Sequence, residues 1–203
     1  MRVAVAGATG HIGALTAAVE RDAHDVVRIS RSLGVDLLTG DGLDEALAGV
    51  EALVDATNAT ATDPDEVVAY FGTTTRNLLT AAQRAGVRHQ VLLSIVGIHR
   101  VEGNAHYAGK REQERLVQAG SVPWTIVPAT QFHDFAAMVT SWTERNGVAT
   151  IAPLLVQPIA PGRHRPQGRW PAANATASSQ KNSGVQRPGS HFGATQPYTP
   201  GRR

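Results

Sequence analysis

The 203 residues of this chain include no cysteine. Disulfides and thiolate zinc sites are thereby excluded, and the composition fits a cytoplasmic protein. No apolar run approaches the roughly 20 residues that a membrane-spanning helix needs. The chain opens directly on a strand-forming run, without a charged leader and an apolar signal core, so no secretory signal is expected. No pattern recurs at a fixed period of about 20–50 residues, so no repeat architecture is expected. His11, His99, His106 and His133 do not stand at a metal-ligand spacing such as H-E-x-x-H, and no metal is assigned.

Acid is missing from one part of the chain only. Residues 162–203 carry 7 Lys+Arg and no Asp or Glu, whereas residues 1–161 carry 12 Lys+Arg against 17 Asp+Glu. The basic character belongs to the tail, so no nucleic-acid surface is expected on the folded part. The tail holds only Trp170, Val185, Phe192 and Tyr198 as large apolar side chains, and Gly, Pro and Ser fill 15 of its 42 positions. Such a segment cannot bury enough surface to offset its ordering entropy, and a disordered tail is expected. A shifted reading frame is a second account of it. Gly162-Arg163-His164-Arg165 written GGC-CGA-CAT-CGC reads Ala-Asp-Ile-Ala one base later.

What is present over residues 1–161 is an alternation of strand and helix patterns. Strands are predicted at Arg2–Ala6, Val26–Ile29, Val35–Leu38, Ala52–Ala56, Gln90–Leu93 and Trp124–Val127. Helices are predicted at Ile12–Arg21, Asp44–Ala48, from Asp63-Pro64 to about Ala85, at Ala108–Ala119 and over Phe132–Glu144. Asp63 suits a helix cap and Pro64 the first helical position. Strands joined by helices imply an α/β fold with a doubly wound parallel sheet, a Rossmann-like arrangement over residues 1–161.

The first strand runs into Gly7-Ala8-Thr9-Gly10-His11-Ile12-Gly13 and then a helix pattern. A strand that turns through glycines into a helix N-terminus presents free N–H groups and the positive end of the helix dipole to an anion. Gly7 suits the tight turn, Gly10 leaves room for a diphosphate, and Gly13 lets the helix approach the strand. Thr9, His11 and Ile12 belong to the same turn. A dinucleotide site is expected. An NAD site usually carries an acid at the end of the second strand; here that end reads Ile29-Ser30-Arg31-Ser32. Arg31 offers a fork of donors suited to a 2′-phosphate and Ser32 a hydroxyl, so NADP(H) is favoured over NAD(H). Thr57, Asn58 and Ser94 leave the carboxyl ends of later strands, where ligands of such sheets bind; local turn chemistry is their other reading.

The G-x-x-G-x-x-G spacing of Gly7, Gly10 and Gly13 resembles the atypical short-chain dehydrogenase/reductase family, more narrowly its NmrA-like NAD(P)-binding branch. Gly40-Asp41, Ala52–Asn58, Ser94, Lys110 with Glu114, and Thr130-Gln131-Phe132 extend the likeness over about residues 1–160. The resemblance implies an adenine-side role for Asp41. It also implies an NADPH-dependent reductase of a quinone or carbonyl acceptor, a small molecule, or else a sensor that binds NADP without turnover. Many members of the wider superfamily use Ser, Tyr and Lys, with Tyr four residues before Lys. Here His106 stands four residues before Lys110, and Tyr107 three before, so Ser94, His106, Tyr107 and Lys110 are the catalytic candidates. Lys110 and Glu114 read equally as a solvated i,i+4 pair. Phe132 is a candidate for the substrate pocket and Phe135 for the core. The resemblance further implies more strands and helices around the acceptor, where this chain has its tail. Nothing in the pattern sets an oligomeric state.

Overall fold

The computed structural model describes residues 1–151 and 157–160. The expected tail, and the boundary at 161, lie outside them. The elements are β1 (Arg2–Ala6), α1 (His11–Glu20), β2 (Asp25–Ile29), α2 (Leu43–Leu47), β3 (Ala52–Asp55) and α3 (Pro64–Arg84). They continue with β4 (His89–Ile95), α4 (Ala105–Ala119), β5 (Trp124–Ala129), α5 (Phe135–Thr143) and the two-residue strands β6 (Glu144–Arg145) and β7 (Val148–Ala149). Among the described residues no helix is long and apolar enough to cross a membrane.

Five parallel strands form one sheet in the order β2-β1-β3-β4-β5. The chain steps outward from β1 to β2, returns past β1 to β3, and then proceeds the other way. The order therefore reverses between β1 and β3, and a crevice opens there at the carboxyl ends of the strands.

Alternation along β1 divides the core. Ala4 and Ala6 pack with Ile29, Leu43, Leu47, Leu53, Leu78 and Ala82, on the side covered by α2 and α3. Val5 packs with Ala8 and Ala17 of α1 on the opposite side. Burying each of the valine, leucine and isoleucine side chains contributes about 1.5–3 kcal/mol. Asp63 caps α3, its carboxylate accepting from the amides of Asp65 and Glu66 at 3.0 Å each. The helix buries Val67, Phe71, Leu78 and Ala82 as its periodicity requires. It meets α4 at Gly109, where a Cβ would lie 2.4 Å from Phe71 Cδ2, so only glycine allows this approach.

The predicted strand at Val35–Leu38 is instead a turn, and among the described residues the sheet has five strands rather than six. Gly34 and Gly40, both at φ +86°, bracket it. Its polar groups are satisfied without a ladder: Leu38 N–H donates to Asp36 Oδ1 at 2.8 Å, and Asn77 Nδ2 holds the carbonyls of Leu37 and Leu38 at 2.9 Å. Val35 and Leu37 are still buried, so the apolar run marks core rather than sheet. Helix α4 begins three residues earlier than predicted, capped by Asn104, whose Oδ1 accepts from Tyr107 N–H at 3.0 Å. Helix α5 begins three residues later, because Phe132 bridges to Ile159.

Candidate functional site

The glycine turn borders the crevice, and its compactness is a matter of backbone contact. Gly7 has φ +78°, and a Cβ there would lie 2.7 Å from the Ala56 carbonyl oxygen. A Cβ on Gly13 would lie 2.1 Å from the Gly7 carbonyl oxygen, so α1 rests directly on the turn. A Cβ on Gly10 would meet Gly7 O at 3.2 Å and otherwise open space. The amides of Gly7 and Ala8 donate to Ile29 O, and that of Gly10 to Gly7 O. The first intrahelical donor is Ala14, bonded to Gly10 O at 2.9 Å. The N–H groups of His11, Ile12 and Gly13 therefore have no helical acceptor, and among the described residues no side chain caps them. Three such amides at the positive end of a helix beside an open glycine fit a diphosphate.

Around this turn, Thr9 Oγ1 lies 3.5 Å from Ser32 Oγ, which is itself 3.1 Å from Ser30 Oγ. Arg31 is exposed and opens a single 3₁₀ turn (Arg31–Leu33) beyond β2. Asp41 is exposed and its carbonyl accepts from Asp36 N–H at 3.0 Å. His11 Nε2 lies 2.6 Å from Asp134 Oδ2, which joins the start of α1 to the approach of α5.

Beyond the crevice a buried polar network ties β3, β4 and α4 together. Asp55 is 1% exposed; its Oδ1 accepts from Thr57 N–H at 2.9 Å and Thr57 Oγ1 at 2.7 Å, and its Oδ2 from Gln113 Nε2 at 2.8 Å. Lys110 is 4% exposed. Its Nζ donates to Leu93 O at 3.0 Å, Thr57 O at 3.3 Å and Gln113 Oε1 at 2.9 Å. Phe71 lies beneath it, with Nζ 5.0 Å from the ring centroid. Burial lowers the Lys110 ammonium to about 8, against the opposing attraction of Asp55 and Glu114.

Lys110 and Glu114 are thus not a solvated pair. Both are buried, and they take different partners. Glu114 Oε1 accepts the Ser94 hydroxyl, and Glu114 Oε2 lies 2.7 Å from His99 Nε2. Of the two aromatic candidates, His106 stacks edge-on against Phe71 at 5.7 Å. Burial first, then the Lys110 charge, lowers its pKa. Tyr107 is half-buried in the first turn of α4. Thr57 spends its side chain on Asp55 and Gln113, and Asn58 beside it is exposed. Phe132 and Phe135 are half-buried.

Sequence reading missed Asp55, Gln113, His99 and Asp134. Asp55 left one signal, a carboxylate closing an otherwise apolar strand. Gln113 left only its position three residues after Lys110. Thr130, next after β5, buries its hydroxyl oxygen with no hydrogen-bond partner among the described residues, on the edge where a ligand would lie.

Residues 7–147 match the family model described as NAD(P)H-binding. The chain belongs to the NAD(P)H-binding family. It is 33% identical over 155 residues to a (4-alkanoyl-5-oxo-2,5-dihydrofuran-3-yl)methyl phosphate reductase of Streptomyces griseus, across 69% of this chain and 50% of that protein. The chain therefore spans half the length of that relative. Among solved structures, it resembles a Citrobacter triphenylmethane reductase complexed with NADP(H), with TM-score 0.58 and 19% identity over 70% of this chain and 56% of that one. It also resembles the Bordetella bronchiseptica enzyme WbmG in complex with NAD, with TM-score 0.56 and 16% identity over 65% and 54% of the two chains. These two likenesses are of fold.

Proposed function

We propose that this chain is an NADP(H)-dependent oxidoreductase domain that reduces a quinone or carbonyl compound. The observation that carries the reading is the glycine turn at the sheet's switch point, with three uncapped amides beside an open glycine. The reductase name of the Streptomyces griseus relative, whose substrate bears an alkanoyl and an oxo group, supports the acceptor class. Arg31 and Ser32 supply donors for a 2′-phosphate at the end of β2, where no acid stands.

The amides of His11, Ile12 and Gly13 would hold the diphosphate, with Thr9 beside them. A bound reduced nicotinamide supplies a hydride to the acceptor. Lys110 acts as a brace. Its three ammonium protons already go to three acceptors, which pins the ends of β3 and β4 at the reaction edge. Phe132 stands after β5, where an acceptor would rest.

A second reading, a regulator that binds NADP(H) without turnover, is favoured by His106 in place of tyrosine and by the full commitment of Lys110. Purified protein with NADPH and a panel of quinones and carbonyl compounds separates the two. Loss of reduced-nicotinamide absorbance above background supports the oxidoreductase. Calorimetric binding with no oxidation supports the regulator. No binding of either dinucleotide overturns both.

A further inference from the structure

Ser94, Glu114 and His99 form a line from the reaction edge to solvent. Ser94 ends the buried face of β4 and is 2% exposed; Glu114 on α4 is 6% exposed. His99 stands on a 3₁₀ turn (Ile98–Arg100) with its side chain 65% exposed. Glu114 receives Ser94 on one oxygen and His99 on the other. The hydrogen bonds of this line are separate from those of the Lys110–Asp55 network.

A serine has one proton. While Glu114 is ionised, that proton is committed to the carboxylate and is withheld from any acceptor. A proton placed on Glu114 reverses the bond: the carboxyl then donates to Ser94 Oγ, and the serine proton is released toward the site. His99 is the group placed to supply it, since its Nε2 lies 2.7 Å from the other Glu114 oxygen and its side chain reaches solvent. Lys110 is committed elsewhere and His106 faces Phe71, so neither competes for this task.

Resting on the oxidoreductase reading, we propose that His99 and Glu114 relay a solvent proton to Ser94, which donates it to the reduced oxygen of the acceptor. The balance is complete. With a carbonyl acceptor the carbon gains a hydride from the nicotinamide and the oxygen gains the Ser94 proton, as the C=O π bond becomes C–H and O–H; with a quinone the same hydride and proton give the hydroquinone. Ser94 Oγ regains a proton from Glu114 Oε1, Glu114 Oε2 takes one from His99 Nε2, a half-turn of the carboxyl group about its Cγ–Cδ bond brings that proton to the Ser94 side, and His99 is reprotonated from water.

The charged groups facing Glu114 are His99 from the 3₁₀ turn and Lys110 one helical turn back, with Asp55 beyond Lys110. Arg111 on the same helix is directed to the carbonyls of Ile98 and Val101 at 2.7 and 2.9 Å.

The test uses Glu114→Gln, which still accepts from Ser94 but carries no transferable proton, and His99→Ala, an exposed change that leaves the fold intact. NADPH affinity is measured first and is expected within about 3-fold of wild type, because neither residue lies at the phosphate turn. E114Q is expected to lower kcat on the order of 100-fold and to flatten its pH profile. H99A is expected to lower kcat about 10-fold, with recovery on adding imidazole, which the exposure of His99 admits. Independently of turnover, the ¹⁵N shift of the His99 ring is expected to change between wild type and E114Q. Unchanged kcat and pH profile in both variants, or H99A that imidazole does not restore, overturns the relay alone. An unmoved His99 signal does the same. Wild-type protein that binds NADPH but reduces nothing in the panel overturns the oxidoreductase reading and the relay with it.

Discussion

Lys110 has three ammonium protons and three oxygen acceptors, and it is lowered to about 8 by burial. The sign of its contribution follows. Below about 8 it is charged in both states, and the folded state bears the desolvation cost in full. Between about 8 and the ordinary value of 10.5, the unfolded state binds more protons, so stability rises with pH. Lys110→Met is expected to abolish a rise of at most ~3 kcal/mol across that window. Urea unfolding of both proteins at several alkaline pH values checks this, and parallel curves would refute it. Arg31 is the second residue whose environment makes a forecast. Arg31→Asp is expected to weaken NADPH by at least about 10-fold more than NADH, read by calorimetry; equal losses would refute the 2′-phosphate assignment. That β2 ends without an acid was legible from the sequence, because it is a local pattern. The partners of Lys110 were not. They come from the loop after β3, from β4 and from a glutamine on the lysine's own helix, and only the packed sheet brings those carbonyls together.

At the scale of elements, the contacts of two glycines separate binding from stability. Gly13 faces the backbone of the turn that it helps to shape, so Gly13→Ala must push α1 off that turn. NADPH affinity is expected to fall at least ~10-fold, with a stability loss of about 1–3 kcal/mol. Gly109 faces Phe71 and Val67 in the α3–α4 seam. Gly109→Ala overpacks that seam and is expected to cost about 1–3 kcal/mol in denaturant unfolding. A stable G13A with unchanged affinity, or a G109A as stable as wild type, would contradict the respective packing account. Element type was largely legible because periodicity and cap residues act within a few positions: Asp63-Pro64 set the start of α3. The segment Val35–Leu38 was misread for the converse reason. Its burial comes from contact with α2 and α3, and burial by itself does not say whether a strand neighbour is available.

Across the whole molecule, protection should follow position in the sheet. β1 is paired on both sides, by β2 and β3, whereas among the described residues β5 is paired on one side only and leaves Trp124 and Val127 41% and 42% exposed. Hydrogen exchange is expected to be on the order of 100-fold slower in β1 than in β5. Equal rates would mean that something further covers the β5 edge. The sequence by itself determined the class of fold, the glycine turn and the helix that opens from it, because each depends on residue type and spacing over a dozen positions. Tertiary structure alone decided that β3 follows β1 in the sheet and that Asp55 meets Gln113. It also decided that Glu114 gives its two oxygens to Ser94 and His99. Those pairings join residues far apart along the chain, and their energies exist only once the strands have been brought into register.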